Sequence, residues 1–195
     1  MNNKNKTKSM VLLGVLSALT VAISFLPLKG PGFEITLSMV PVAVGSIVLG
    51  PVGGAVLGAV FGIVSFLQCF GYSPLGVALL SINPLLTAVV CIPTRILAGW
   101  LSGVIYKAVS GKSRNAANAL SSVSEPIFNT LFFMSALVLC FYRTDLIQGY
   151  VTALGASNPF TFILLFVGIN AVIEIVAGAV LTFPIAKAVT KYLRK

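Results

Sequence analysis

The sequence predicts an all-α membrane protein of six transmembrane helices with both termini cytoplasmic, residues 1–195 forming a single integral membrane domain. Three observations carry this expectation. Hydrophobic residues make up 57% of the 195 positions and charged residues only 9%, against roughly 25% charged in a soluble domain. The apolar stretches leave room for about six spans of ~20 residues with short loops. The cations cluster where such a bundle would face the cytoplasm. Lys4, Lys6 and Lys8 precede the first apolar block, Lys107, Lys112 and Arg114 fall mid-chain, and Lys187, Lys191, Arg194 and Lys195 close it. Lys29 and Arg143 fall on the outer side, and Arg95 lies within a span. An even number of spans returns both basic termini to one side; one span more or fewer would separate them.

The first span is expected over about Met10–Leu26 and is broken by Pro27, Gly30 and Pro31. The polar, basic start before it resembles a signal peptide. The apolar run is long, and no small-residue cleavage site ends it, so it reads as a retained span. Span 2 (about Leu37–Leu49) and span 3 (about Val52–Phe70) meet at Gly50-Pro51, a turn signal, and form a tight hairpin with an uncharged tip. The following GYSPLGVALLSIN is too short and broken to cross. Span 4 covers about Pro84–Val109. Span 5 ends near Tyr142 and begins between Asn115 and Glu125. Arg143–Asn158 reads as a loop, and span 6 as Pro159 to about Val189.

Small residues recur at helical spacing: Gly54, Gly58 and Gly62 in span 3, Gly99 and Gly103 in span 4, and Gly14, Ala18 and Ala22 in span 1. Such faces let helix backbones approach closely in lipid. They serve either internal packing or, for the terminal span 1, the docking of a partner.

The net charge of +9 does not point to nucleic acid, because the cations sit at span ends without a base-stacking aromatic pattern. Anionic lipid head groups are their expected companions. Cys69, Cys91 and Cys140 lie in apolar sequence without metal spacing and read as small apolar fillers. Histidine is absent, which removes HExxH sites and Ser-His or Cys-His pairs. No GxxxxGK[ST] loop is present. The chain reads as a non-enzyme without cofactor or metal.

The polar residues inside the spans are more informative. Arg95 lies about twelve residues into span 4, roughly 18 Å deep at 1.5 Å per residue. Facing lipid it would cost at least ~2.5 kcal/mol, so it is expected to face the bundle interior. Two readings stand: a structural ion pair with Glu174 or Glu125, or a clamp for a ligand carboxylate, which a guanidinium meets with two parallel hydrogen bonds. Asn170 and Glu174 share a face of span 6, and Glu125 and Asn129 a face of span 5. With the helices antiparallel, Asn170 pairs in depth with Asn129 and Glu174 with Glu125. Alternatively, Ser124-Glu125-Pro126 is a helix start, which leaves Glu125 at the interface. Gln68, Tyr72, Ser73 and Asn83 flank the outer loop between spans 3 and 4. With Phe33 and Glu34 of the first outer loop they would cover a pocket suited to a small, polar, anionic metabolite.

Four stretches, in this order and spacing, resemble the substrate-binding S component of energy-coupling factor (ECF) vitamin transporters: LSMVPVAVGSIVLGPVGGAVLGAVFG, SPLGVALLSINPLLTAVVCIPTRILAGWLSGVIYKA, EPIFNTLFF and NAVIEIVAGAVLTFPI. The resemblance covers about Met10 to Val189. It implies six spans in the cell membrane, a vitamin site toward the outer side, and an ECF module, a transmembrane scaffold protein plus two ATPases, docked through an AxxxA motif on the first helix. That motif matches Ala18 and Ala22. PTRILAGW and NPLL look most similar to the pantothenate type, with the folate and riboflavin types as alternatives. Helix geometry and the resemblance together select Arg95, Asn129, Asn170, Asn83, Gln68, Tyr72 and Glu174 as substrate-binding residues. The rival classes are a self-sufficient ion-coupled carrier, with Glu174 and Glu125 as proton sites, and a scaffold without ligand.

Overall fold

The computed structural model describes the backbone of residues 3–26, 29–30, 33–34 and 36–193, and within that range the side chains of 6–26, 36–168 and 170–191. Apart from one two-residue pairing, β1 (Lys29–Gly30) with β2 (Phe33–Glu34), the described elements are helical. They are α1 (Asn3–Ser24), α2 (Met39–Gln68), α3 (Pro74–Ile82), α4 (Pro84–Ser110), α5 (Arg114–Phe141), α6 (Asp145–Ala153), α7 (Pro159–Ala177), a π-helical turn (Gly178–Thr182) and α8 (Phe183–Leu193). Among the described residues, five helices are long and apolar enough to cross a membrane: Lys6–Ser24, Met39–Gln68, Pro84–Ser110, Arg114–Phe141 and Asn170–Lys191.

Helix starts follow one local rule. Ser73, Asn83 and Asn158 each accept a backbone N–H from the first turn and are followed by Pro at the position where a missing N–H costs nothing. Ser113 and Thr144 cap α5 and α6 in the same way without the proline. These caps turn two stretches that read as irregular loops into the short helices α3 and α6. At roughly 14 Å of rise each, both stay too short to cross. Ser113 also settles where the fifth helix begins: at Arg114, well before Glu125. Ser124 is therefore mid-helix, its hydroxyl donating to the Ser121 carbonyl at 3.2 Å, and Glu125 is fully buried rather than interfacial.

α2 is not a straight rod. Gly50 has φ 77° and ψ −169°, a region open to glycine and closed to other residues, and Pro51 starts the next turn. The chain reverses there. A Cβ on Gly45 would collide with the Leu57 side chain, and one on Gly54 with the Ser46 hydroxyl. In a straight helix Gly45 and Leu57 would stand ~18 Å apart. The arm Met39–Leu49 rises only ~16 Å and the arm Pro51–Gln68 ~27 Å, against a hydrocarbon core of ~30 Å. The predicted hairpin at Gly50-Pro51 is thus present, with a short first arm.

The second arm of α2 lies backbone to backbone along α4. Side-chain methyls at Gly54 and Gly58 would strike the carbonyl oxygens of Gly99 and Arg95, and one at Gly62 would come within 2.8 Å of the Ile92 Cα. From the other side, a Cβ on Gly103 would reach the Pro51 Cα at 2.6 Å. The small faces of these two helices serve internal packing. By contrast, Gly14, Ala18 and Ala22 of α1 are exposed, and nothing lies within 4 Å of a Cβ built on Gly14. The opposite face of α1 carries the buried Leu16, Thr20 and Ser24.

Two apolar clusters fill the bundle. Leu16, Val42, Ile47, Leu57, Phe61 and Ala186 form one, with Tyr106 against it. Leu79, Val90, Met134, Leu137, Phe141, Ile147 and Phe162 form the other. The first draws the end of α4 and the start of α8 to the same end of the bundle. Lys107, on the last turn of α4, and Lys187, on α8, therefore share that end.

A methyl group at Gly58 has no room to shift, because what it meets is backbone. Gly58→Ala is expected to destabilise the fold by at least the ~1–3 kcal/mol of core overpacking. At roughly 2–4 °C per kcal/mol for a chain of this size, thermal unfolding in detergent would show a fall of several degrees. Gly14→Ala, on the open face of α1, should leave the midpoint within error.

Candidate ligand-binding site

Pro93 lies inside α4 and Pro126 inside α5. Each lacks a helical N–H and crowds the preceding turn, which leaves the Val89 carbonyl of α4 and the Ser122 carbonyl of α5 without their helical donors. The next two residues of α4 add side-chain bonds to the carbonyls that follow Val89. The Thr94 hydroxyl donates to the Val90 carbonyl at 2.6 Å. Arg95 Nη1 donates to the Val90 and Cys91 carbonyls and to the Thr94 hydroxyl, each at 3.3 Å. These bonds fold the arginine back toward the start of its own helix.

The guanidinium is thereby held inside the bundle, 8% exposed. Its Cζ stands 5.1 Å from the Phe61 ring centroid of α2 and 4.7 Å from that of Phe133 of α5, which are cation–π distances. Glu125 and Glu174 lie within its electrostatic reach. Among the described residues, neither carboxylate closes to the 4.0 Å of an ion pair. Arg95 Nε has no hydrogen-bond partner among the described residues. The expected side-chain ion pair with Glu174 or Glu125 is not formed.

α5 supplies the facing wall. Glu125, Asn129 and Phe133 follow at intervals of four and share one face. Glu125 and Asn129 are buried, and Glu125 Oε2 and Asn129 Oδ1 have no partner within the chain. Ser102 and Ser121 exchange bonds between α4 and α5, hydroxyl to hydroxyl at 2.9 Å and each hydroxyl to the other's carbonyl at 3.0 Å. The antiparallel register set by this pair puts the Arg95 backbone level with about Phe128. Since its side chain leans toward the helix N-terminus, the guanidinium reaches Phe133, leaving Asn129 and Glu125 one and two turns further in.

Glu174 comes from α7. Gly178 packs where Pro126 leaves a carbonyl without its helical donor: a Cβ there would lie 2.9 Å from the Ser122 oxygen and 3.0 Å from the Pro126 ring. Gly178 opposite Ser122 puts Glu174 level with about Pro126, beside Glu125 in depth, and the Thr130 side chain faces the Glu174 carboxylate. Asn170, half-buried, lies one turn on, level with about Thr130. Glu174 Oε1 also accepts the Thr36 N–H at 3.0 Å. This draws the segment before α2 into the bundle.

The remaining predicted residues lie nearer the rim. Gln68 is buried and its Nε2 donates to the Ser24 carbonyl. Ser24 in turn meets Ser38, Oγ to Oγ, at 2.7 Å. Tyr72 is exposed and packs edge-on against Phe25 at 5.3 Å. Asn83 caps α4, its Oδ1 accepting the Leu86 N–H at 3.0 Å. Ser73 caps α3. Phe33 and Glu34, expected to help cover a pocket, have side chains outside the described residues. An open cleft of about 520 Å³ lies between Ala78, Ser81 and Ile82 on one side and Arg143–Leu146 on the other. It includes neither Arg95 nor any of the residues around it, and its open shape gives a ligand little enclosure.

The structure thus brings Arg95, Asn129 and Glu174 into one buried neighbourhood with Glu125, which the sequence reading named as a partner for Arg95 but not as a substrate-binding residue, and adds Phe61 and Phe133, which it did not include. For Glu125 and Phe133 a signal existed, namely their spacing of four from Asn129. Phe61 carried none. Six buried side-chain atoms lack a partner among the described residues, a few per hundred residues as in native interiors, and three of them, Arg95 Nε, Glu125 Oε2 and Asn129 Oδ1, belong to this neighbourhood. One is a cationic donor and two are acceptors, so the arrangement suits a polar ligand and provides no nucleophile–base pair.

No curated protein matches the chain significantly. A family-level comparison does: the model described as "ECF transporter, substrate-specific component" matches residues 8–186, most of the sequence, and the chain belongs to that family.

Proposed function

We propose that this protein is the substrate-binding subunit of an ATP-driven ECF uptake transporter, that its substrate is a small carboxylate-bearing vitamin, and that the vitamin is pantothenate. One observation carries the reading: Arg95 is buried between two phenylalanine rings, with one donor unpartnered and no carboxylate in contact among the described residues. A buried guanidinium in that state lacks its anion. The planar fork suits a carboxylate, and the choice of pantothenate among carboxylate vitamins rests on the sequence resemblance in PTRILAGW and NPLL.

In this reading α1, the two arms of α2, α4, α5 and the α7–α8 rod make six membrane passages, with the basic ends at the cytoplasm. The ligand enters from the opposite side. Thr36, Ser38, Gln68 and Tyr72, which join the ends of α1 and α2 at that side, form part of the cover. The exposed Ala18 and Ala22 face of α1 docks the ECF module, whose ATPases supply the energy that this chain has no phosphate-binding loop to harvest.

Calorimetric titration of the purified chain in detergent should show saturable pantothenate binding. Arg95→Ala should weaken it by roughly 2–5 kcal/mol, thirtyfold or more, as loss of one partner of a buried charge pair does. Unchanged affinity in a folded variant would make Arg95 structural. Replacing Ala18 and Ala22 together by Leu should abolish uptake in proteoliposomes containing the full ECF complex while leaving binding intact. Loss of binding would assign that face to internal packing. Gradient-driven uptake by this chain without the module would overturn the proposal in favour of a self-sufficient carrier.

A further inference from the structure

The reading above accounts for Arg95 and leaves the acceptors on α5 without a use. Glu125 is 1% exposed and Asn129 7%, and each presents an oxygen that no group among the described residues meets. Burying such an oxygen without a donor is costly. The amide oxygen of Asn129 can only accept, and a glutamate carboxyl keeps acceptor capacity in either protonation state. These acceptors lie on the same helical face as Phe133, against which the Arg95 guanidinium is stacked. From the level of Phe133 to that of Glu125 is two turns, roughly 12 Å.

We infer that Glu125 and Asn129 form the specificity end of the site: they receive O–H or N–H donors at the end of the ligand opposite its carboxylate. The inference rests on the reading of Arg95 as the carboxylate anchor. It names the substrate class more narrowly, as an elongated acid with hydroxyl, amide or ureido donors at its far end, and it excludes acids whose far end is purely apolar. Glu174 is a weaker candidate for the same role, because one of its oxygens already holds Thr36. A site built to hydrogen-bond a ligand's O–H or N–H strongly rejects the analogue that lacks it, since the buried acceptors are then left unmet.

Titration of the purified full-length chain with pantothenate, biotin and lipoate tests this. Biotin and lipoate share a valerate chain and differ at the far end, where biotin has ureido N–H groups and lipoate a dithiolane without a donor. At least one of the two donor-bearing acids should bind tenfold or more tightly than lipoate. Glu125→Gln and Asn129→Ala should each reduce that preference at least fivefold, by weakening the donor-bearing acids and not lipoate. A chain that binds lipoate as tightly as the donor-bearing acids overturns the inference and leaves the carboxylate anchor standing. So does a folded Glu125→Gln protein that keeps the full preference or loses affinity for every ligand equally. Binding of biotin but not pantothenate would sustain the inference and remove pantothenate as the substrate. If none of the three acids binds, the carboxylate-anchor reading fails, and this inference falls with it.

Discussion

Contact between the backbones of α2 and α4 is the constraint on which the rest depends. In lipid, helices gain little by hiding apolar side chains from a solvent that is itself apolar, so close backbone approach has to supply the attraction. Gly54, Gly58 and Gly62 provide it along one face, and Gly99 and Gly103 answer from the other. The contact fixes the depth and rotation of α4. Gly58 lies against the Arg95 carbonyl oxygen, so the residue bearing the buried cation is also one that this packing pins. A side chain in place of Gly58 would move the guanidinium together with its helix.

The second ordering influence is the set of breaks in the helical hydrogen-bond ladder. Gly50 reverses α2, Pro93 and Pro126 interrupt α4 and α5, and the ladder widens to a π-turn at Gly178–Thr182. In water such breaks are tolerated cheaply, but in hydrocarbon each released group needs a protein partner. Side chains that build the site cluster at these breaks. Thr94 and Arg95 bond the Val90 and Cys91 carbonyls just before Pro93, which holds the guanidinium back along its helix, against Phe133. Gly178 packs close to the Ser122 carbonyl that Pro126 leaves without its helical donor, and this contact sets the depth of Glu174 against α5.

The membrane class, the hairpin at Gly50-Pro51, the limits of α4 and the interior placement of Arg95 were all legible in the sequence. They depend on composition, turn chemistry and the cost of a charge in hydrocarbon, which act locally. The contacts that fix the register between helices were not legible. Gly178 packing on Ser122 sets Glu174 level with about Pro126, beside Glu125. Phe61, brought to Arg95 by the glycine contact, had nothing in its own neighbourhood to single it out. Capping decided between two readings of Glu125. Ser124-Glu125-Pro126 has the residues of a helix start, yet Ser113 caps the helix more than two turns earlier, so Glu125 takes the interior place and not the interfacial one.

That placement changes what the interior means. With only Arg95 inside, a single buried cation could have been balanced by one carboxylate of the chain. The structure instead holds one guanidinium and two carboxylates near each other and out of contact, with Nε, Oε2 of Glu125 and Oδ1 of Asn129 all unmet. A purely structural cluster would lower its energy by closing, since a buried donor or acceptor without a partner costs about 1–3 kcal/mol. Here the closure is opposed from both sides. The carbonyls of Val90 and Cys91 and two aromatic rings hold the cation toward one end, and the face of α5 sets the acceptors one and two turns away. Packing that keeps complementary groups apart at such cost is what preorganisation for a third body requires. A ligand with an acid at one end and hydrogen-bond donors at the other would satisfy all three atoms at once.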